Sequence, residues 1–151
     1  MQKLLRTNSQ NPDFIKLVQK LDADLAKRDG QEHSFYAQFN KIDALQYVVV
    51  LYENGEALGC GAIKELNINT MEAKRMYTNP SSRGKGLATI ILLELEKWAE
   101  ELGYKKCALE TGKKQPEAIR LYSKNGYQTI PNYGQYANVE NSLCFEKPLQ
   151  K

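Results

Sequence analysis

Histidine and tryptophan each occur once in these 151 residues, cysteine three times, and long apolar runs not at all. Each shortage closes off a class of protein. A lone His33, with no paired cysteines, leaves no donor set for a metal site and reads as a loop residue. Cys60, Cys107 and Cys144 are widely spaced and lack a C-x-x-C pair, so they read as packing residues of a reduced, cytoplasmic protein rather than as a thiol catalyst. No apolar segment approaches the ~20 residues that cross a bilayer. The start, Met1 to Thr7, lacks the apolar core of a signal peptide. The net charge of +3 comes from interspersed signs without a block of either, so neither a membrane nor a nucleic acid is expected as a partner. What remains is 42% hydrophobic and 26% charged, without repeat or linker, and residues 1–151 read as a single domain with a core of its own.

Along the chain, a short strand at Lys3–Thr7 leads to Asn11-Pro12-Asp13, a helix start with a cap and a proline at the first helical position. Phe14, Val18, Leu21 and Leu25 then form a stripe that Asp29-Gly30 ends. Residues 31–44 are mixed, with Phe35, Tyr36 and Phe39 suggesting a short helix or loop over a cleft. Leu45–Tyr52 is a continuous apolar run, hence a buried strand, and Asn54-Gly55 turns it into Ala57–Lys64. A turn at Asn67–Thr70 gives the strand Met71–Thr78. Leu87, Ile91, Leu95, Trp98 and Leu102 share one face of a helix closed by Gly103. Tyr104–Thr111 reads as a strand, Pro116–Lys124 as a helix closed by Asn125-Gly126, and strands near Tyr127–Ile130 and Ser142–Glu146 follow.

Between strand Met71–Thr78 and helix Leu87–Leu102 lies Arg83-Gly84-Lys85-Gly86-Leu87-Ala88. The first turn of a helix leaves backbone N–H groups without partners and carries about half a positive charge. Glycines let a diphosphate approach those groups, and Arg83 and Lys85 add positive charge at the same place. The device suits a phosphorylated cofactor. It is neither the P-loop G-x-x-x-x-G-K-[ST] nor the dinucleotide G-x-G-x-x-G.

Arg83, Gly86 and Ala88 fit [Q/R]-x-x-G-x-[G/A], and the segment Gln115 to Tyr127 fits N-x-x-A-x-x-x-Y-x-x-x-G-[FY] except at its first position. In that order the two resemble the paired signatures of the GNAT superfamily of acetyl-CoA-dependent N-acetyltransferases, and the resemblance covers about residues 3 to 149. It implies an α/β fold: a mixed sheet of six to seven strands flanked by helices, with the central strands Met71–Thr78 and Tyr104–Thr111 splayed around acetyl-CoA or coenzyme A. It implies a function too, direct transfer of the acetyl group to the primary amine of a small or amino-acid-like acceptor. Two other readings stand beside it: a non-catalytic acyl-CoA-binding module of the same fold, and a nucleotide-binding phosphate loop, which lacks its lysine-serine/threonine pair. Dimerisation through C-terminal strands is frequent in the family, so a homodimer is the oligomer implied.

Carried over position by position, Arg83, Gly84, Lys85, Gly86, Leu87 and Ala88 would hold the pyrophosphate. The backbones of Met76, Tyr77 and Thr78 would pair with the pantetheine arm, and the N–H of Met76 or Tyr77 would polarise the thioester carbonyl. Gln115 stands where the family has asparagine for a pantetheine contact and is one methylene longer. Tyr122 takes the place of the general acid near the sulfur; equally, its phenol can be core with a satisfied hydroxyl. Glu72 is the candidate general base, since a carboxylate that faces a half-buried cleft can have its pKa raised; equally, it can be a solvent-facing strand acid or a partner for Lys74 or Arg75. Lys74 and Arg75 can attract a substrate carboxylate or form a salt-bridged face, and Phe35, Tyr36, Phe39, Tyr133 and Tyr136 can wall the acceptor pocket or be ordinary surface aromatics.

Overall fold

Val48, Val49, Val50 and Leu51 follow one another in a strand and are all buried, so both faces of their sheet are covered. The computed structural model describes residues 1–29 and 45–149; Phe35, Tyr36, Phe39, His33 and the helix-ending Gly30 lie outside the described residues. The elements are β1 (Gln2–Thr7), α1 (Pro12–Asp29), β2 (Tyr47–Glu53), β3 (Glu56–Asn67), β4 (Thr70–Thr78), α2 (Leu87–Glu101), β5 (Lys106–Gly112), α3 (Pro116–Lys124), β6 (Gln128–Ile130) and β7 (Ser142–Pro148), with single 3₁₀ turns at Pro80–Ser82 and Gly134–Tyr136. The seven strands form one sheet in the order β1-β2-β3-β4-β5-β7-β6. All neighbours are antiparallel except β4 and β5. This is the mixed sheet with flanking helices that the sequence led us to expect. Among the described residues no helix is long and apolar enough to cross a membrane.

Local chemistry accounts for the punctuation. Asn54 and Gly55 take φ of 53° and 85°, the two left-handed residues that a two-residue hairpin between β2 and β3 requires. Asn11 Oδ1 accepts the Phe14 N–H at 2.9 Å, capping α1 just before Pro12. α2 ends at Glu101. Gly103 turns left-handed at φ 97° and the Tyr104 N–H returns to the Ala99 carbonyl at 3.1 Å. That closure consumes Tyr104, so β5 starts at Lys106 rather than at Tyr104. It also leaves Leu102 40% exposed, off the buried stripe where the periodicity had placed it.

Two apolar layers sandwich the sheet. α1 lays Phe14, Leu17, Val18 and Leu21 on Val48, Val50, Cys60, Ala62 and Tyr77. On the other face α2 lays Leu87, Ile91, Leu92 and Leu95 on Val49, Leu51, Ile63, Met71 and Leu109, and Tyr122 of α3 joins the same layer. All three cysteines are buried in these layers or beside them.

Two departures from regular pairing shape the middle of the sheet. β4 and β5 are paired only over Thr70–Glu72 and Lys106–Ala108, after which they diverge. β5 keeps β7 as a partner along its whole length, and β4 keeps β3, so each strand loses one edge only. The β3–β4 register also shifts between Cys60 and Ala62, and there Arg75 takes φ 60°. Gly61 is thus faced by a bulge, and Met76 folds over it: a Cβ there would lie 2.5 Å from Met76 Sδ.

Gly59 is fixed by a harder contact, since a Cβ would meet the Tyr77 carbonyl oxygen and Ile91 Cδ1, both at 2.9 Å. Backbone cannot yield as a side chain can. Gly59→Ala is expected to lower unfolding free energy by about 1–3 kcal/mol, the range of overpacked cores; urea denaturation of the two proteins measures it.

Candidate active site

The glycine loop comes first. Gly84 and Gly86 are left-handed, with φ of 83° and 79°, and Gly86 stands at the N-cap of α2 without offering a side-chain cap. The first-turn N–H groups of α2 therefore open onto a cleft walled by Gly84, Gly86, Leu87, Ala88 and Thr89. A Cβ at either glycine would meet nothing within 4 Å, so the loop faces open space. Arg83 lines this cleft too. Its Nε donates to the Thr78 carbonyl at 2.9 Å and its guanidinium lies 5.4 Å from the centre of the Tyr77 ring. Lys85 is exposed and stands off the cleft wall.

From the loop the cleft runs between α3 and the free edge of β4. Past Glu72 that edge has no strand partner, so backbone groups of Met76 to Thr78 face a ligand-wide gap. The Thr78 carbonyl is already used by Arg83, while Tyr77 is paired with Cys60 on the opposite edge of the strand. Gln115, at the N-cap of α3, lines the gap from the other side. α3 also brings Arg120 and Lys124 to the cleft. Neither was singled out from sequence, although their spacing of one helical turn was a usable signal.

Tyr122 stands where this cleft meets a second, smaller cavity on the α1 side of the splayed strands. Tyr127 and Phe145 hold its ring in place, with centroids 5.8 and 6.1 Å away. Burial, and secondarily the charge of Glu110, pushes its pKa above the ordinary tyrosine value, so the phenol keeps its proton at neutral pH.

The smaller cavity is polar. β4 contributes Glu72, Lys74 and Arg75; β5 contributes Glu110; Tyr136 closes one side. Glu72 is buried; Tyr133 donates its hydroxyl to Glu72 Oε2 at 2.9 Å, and Lys74 Nζ lies 3.7 Å from Oε1. Both roles considered for this acid thus have a counterpart: it faces the cavity and it is ion-paired. Arg75 Nη2 donates to Asp22 Oδ1 of α1 at 2.7 Å. Burial and the Glu72 charge push the Tyr133 phenol well above its usual range, and Tyr136 is raised likewise, so both phenols keep their protons at neutral pH. Glu110 escaped the sequence reading. Ser142 donates to it at 2.6 Å. It lies two residues beyond Ala108, the partner of Glu72, and only the strand register brings it to the same face.

A glycine loop at a helix N-terminus, a split sheet and a tyrosine between two cavities define an acyl-transferase fold. The model of the acetyltransferase (GNAT) family matches residues 12–127. The chain belongs to that family. The uncharacterised N-acetyltransferase YsnE of Bacillus subtilis (strain 168) is 36% identical over 100 residues, which are 65% of this chain and 66% of that protein. The chain therefore spans just under two thirds of that relative's length. Among solved structures, a Klebsiella pneumoniae protein provisionally named acyl-CoA N-acyltransferase superposes with TM-score 0.84 at 31% identity, covering 99% of each chain. PaiA N-acetyltransferase of Thermoplasma acidophilum, in complex with coenzyme A, reaches TM-score 0.73 over 99% of each chain at 17% identity, a likeness of fold.

The thiols stand apart from this chemistry. Burial pushes Cys60 and Cys107 up to about 12 and Cys144 up to about 11. At pH 8 only about one Cys60 thiol in ten thousand is then ionised. Iodoacetamide at pH 8 is expected to leave the folded protein unlabelled and to modify all three cysteines in urea, as read by mass spectrometry; prompt labelling of the native chain would reinstate a reactive thiol.

Proposed function

We propose that this protein transfers the acetyl group of acetyl-CoA directly to a primary amine of a small acceptor. The observation that carries this reading is the meeting of two cavities at one place: the long cleft and the small polar cavity share Leu21, Met76, Gln115, Ala118 and Tyr122 as walls. One cavity suits a cofactor with a diphosphate and a long arm; the other suits a short polar acceptor. When bound, acetyl-CoA supplies an activated acyl carbon and a thiolate leaving group. Gly84, Gly86 and the first turn of α2 would bind its diphosphate, with Arg83, Arg120 and Lys124 supplying charge. The free edge of β4 and Gln115 would hold the arm.

The remaining work belongs to side chains around the junction. An N–H of Met76 or Tyr77 would stabilise the negative charge that develops on the acyl oxygen. Glu72 takes a proton from the incoming ammonium, and its bond from Tyr133 fixes the carboxylate while it does so. The protonated phenol of Tyr122 gives a proton to the departing sulfur. No acyl-enzyme is needed, because the amine reaches the thioester itself.

The test is calorimetric titration with acetyl-CoA, coenzyme A and ATP, followed by thiol release with an amine panel. Acetyl-CoA is expected to bind at about micromolar strength while ATP does not. Gly86→Val is expected to weaken acetyl-CoA about tenfold or more, because a branched residue resists the left-handed φ and its side chain enters the ligand's space; unchanged affinity would sink the loop assignment. Tyr122→Phe is expected to lower kcat by about a hundredfold with acetyl-CoA affinity within about twofold of the parent. A fully active variant would leave Tyr122 as packing. Binding without transfer to any amine would favour a non-catalytic acyl-CoA-binding module.

A further inference from the structure

Four charges from two diverging strands line a cavity of only about 110 Å³: Glu72, Lys74 and Arg75 from β4, and Glu110 from β5. Two are cations and two are acids. A plain amine entering as its ammonium would place a third cation beside Lys74 and Arg75. An acceptor carrying both signs keeps the count even.

Arg75 is the member that its own surroundings do not account for. Its backbone is left-handed at φ 60°, a conformation that glycine takes freely and arginine rarely. Its side chain is 2% exposed, while its partner Asp22 is 51% exposed and therefore a weakly held counter-ion. Its Nε has no acceptor, the single such buried side-chain nitrogen or oxygen among the described residues. A buried guanidinium with part of its fork unpaired, on the wall of a cavity, matches a planar carboxylate. Nε is closed to water as it stands, so the fork would reach such a ligand by a small rotation away from Asp22. Lys74, loosely paired to Glu72 at 3.7 Å, is the second cation within reach.

We propose that the acceptor is a zwitterion, an amine that also bears a carboxylate, with the carboxylate bound by Arg75 and Lys74 and the ammonium held between Glu72 and Glu110 beside Tyr122. The proposal rests on the acyl-transfer reading of this cavity and names its substrate class. As the N–C bond forms and the C–S bond breaks, the ammonium gives up two protons. One ends on sulfur by way of Tyr122 and the other leaves through Glu72. Arg75 fixes the acceptor's orientation and takes no part in the proton transfers.

The experiment compares three acceptors of matched chain: a free amino acid, its amide, and the amine lacking the carboxyl group. Thiol release gives kcat and KM for each, across a set of side chains. The amino acid is expected to be preferred by about a hundredfold in kcat/KM. Arg75→Gln is expected to erase that preference through KM, with kcat at saturation little changed, and Arg75→Lys to restore part of it. Lys74→Gln provides a second variant should Arg75→Gln not fold, and acetyl-CoA titration of each variant reports an intact cofactor site. Equal or better use of the decarboxylated amine overturns the proposal while leaving acetyl transfer standing. So does a preference that survives in both folded variants. Failure to acetylate any amine despite acetyl-CoA binding overturns the proposal together with the acyl-transfer reading.

Discussion

The separation of β4 from β5 after three paired residues is the constraint on which the site depends. A sheet that splits exposes backbone N–H and C=O groups, which are costly to leave unpaired when buried. Here the cost is confined. β5 keeps β7 from Lys106 to Gly112 and β4 keeps β3, so only the facing edges are open. Those edges become the walls of the cleft, and a ligand with amide groups along its arm would complete the ladder that β5 abandons. The bulge at Arg75 belongs to the same device. One extra residue opposite Gly61 turns the outer half of β4, sending Met76 over Gly61 toward α2 and Arg75 toward α1.

Behind the gap the structure is stiff. Tyr127 donates to Glu96 at 2.8 Å and Lys147 pairs with the other oxygen of the same carboxylate at 2.8 Å, tying α2, β7 and the segment after α3 into one network. Tyr122 packs on Tyr127 and Phe145, so its phenol is held by that network rather than by a mobile loop. In the proposed reaction such a mount would favour Tyr122 as proton donor, because misplacement by an ångström costs far more rate than any single contact here contributes.

What was legible in the sequence was local. The glycine loop carries its chemistry in six consecutive residues, and its left-handed glycines and uncapped helix start follow from them directly. Asn54-Gly55 and Asn11-Pro12 were legible for the same reason. Tyr122 came from a motif spaced along one helix. The residue and the contacts that escaped depend on register between distant segments. Glu110 faces Glu72 only because β4 and β5 align Glu72 with Ala108, and Tyr133 reaches Glu72 across 61 positions. Arg75 read as one of two neighbouring cations; a bulge that reverses strand parity gave it a different environment from Lys74.

The small cavity shows why burying charge here is not simply destabilising. Each charged group has a polar neighbour: Glu72 has Tyr133 and Lys74, Glu110 has Ser142, and Arg75 has Asp22. Ion pairs of this kind contribute little to stability, since desolvation offsets most of the Coulombic attraction. Their value lies in being exchangeable. A carboxylate that displaces Asp22 from Arg75 would trade a half-exposed partner for a buried one, and an ammonium between Glu72 and Glu110 would add a cation beside two acids whose present partners are buried or half-buried. A hydrophobic pocket of equal volume would be as stable and would bind neither end. The split sheet thus makes room for a cofactor on one side while its divergent edges supply the other side with opposite charges at fixed positions, which is what orienting an amine against an acyl carbon demands.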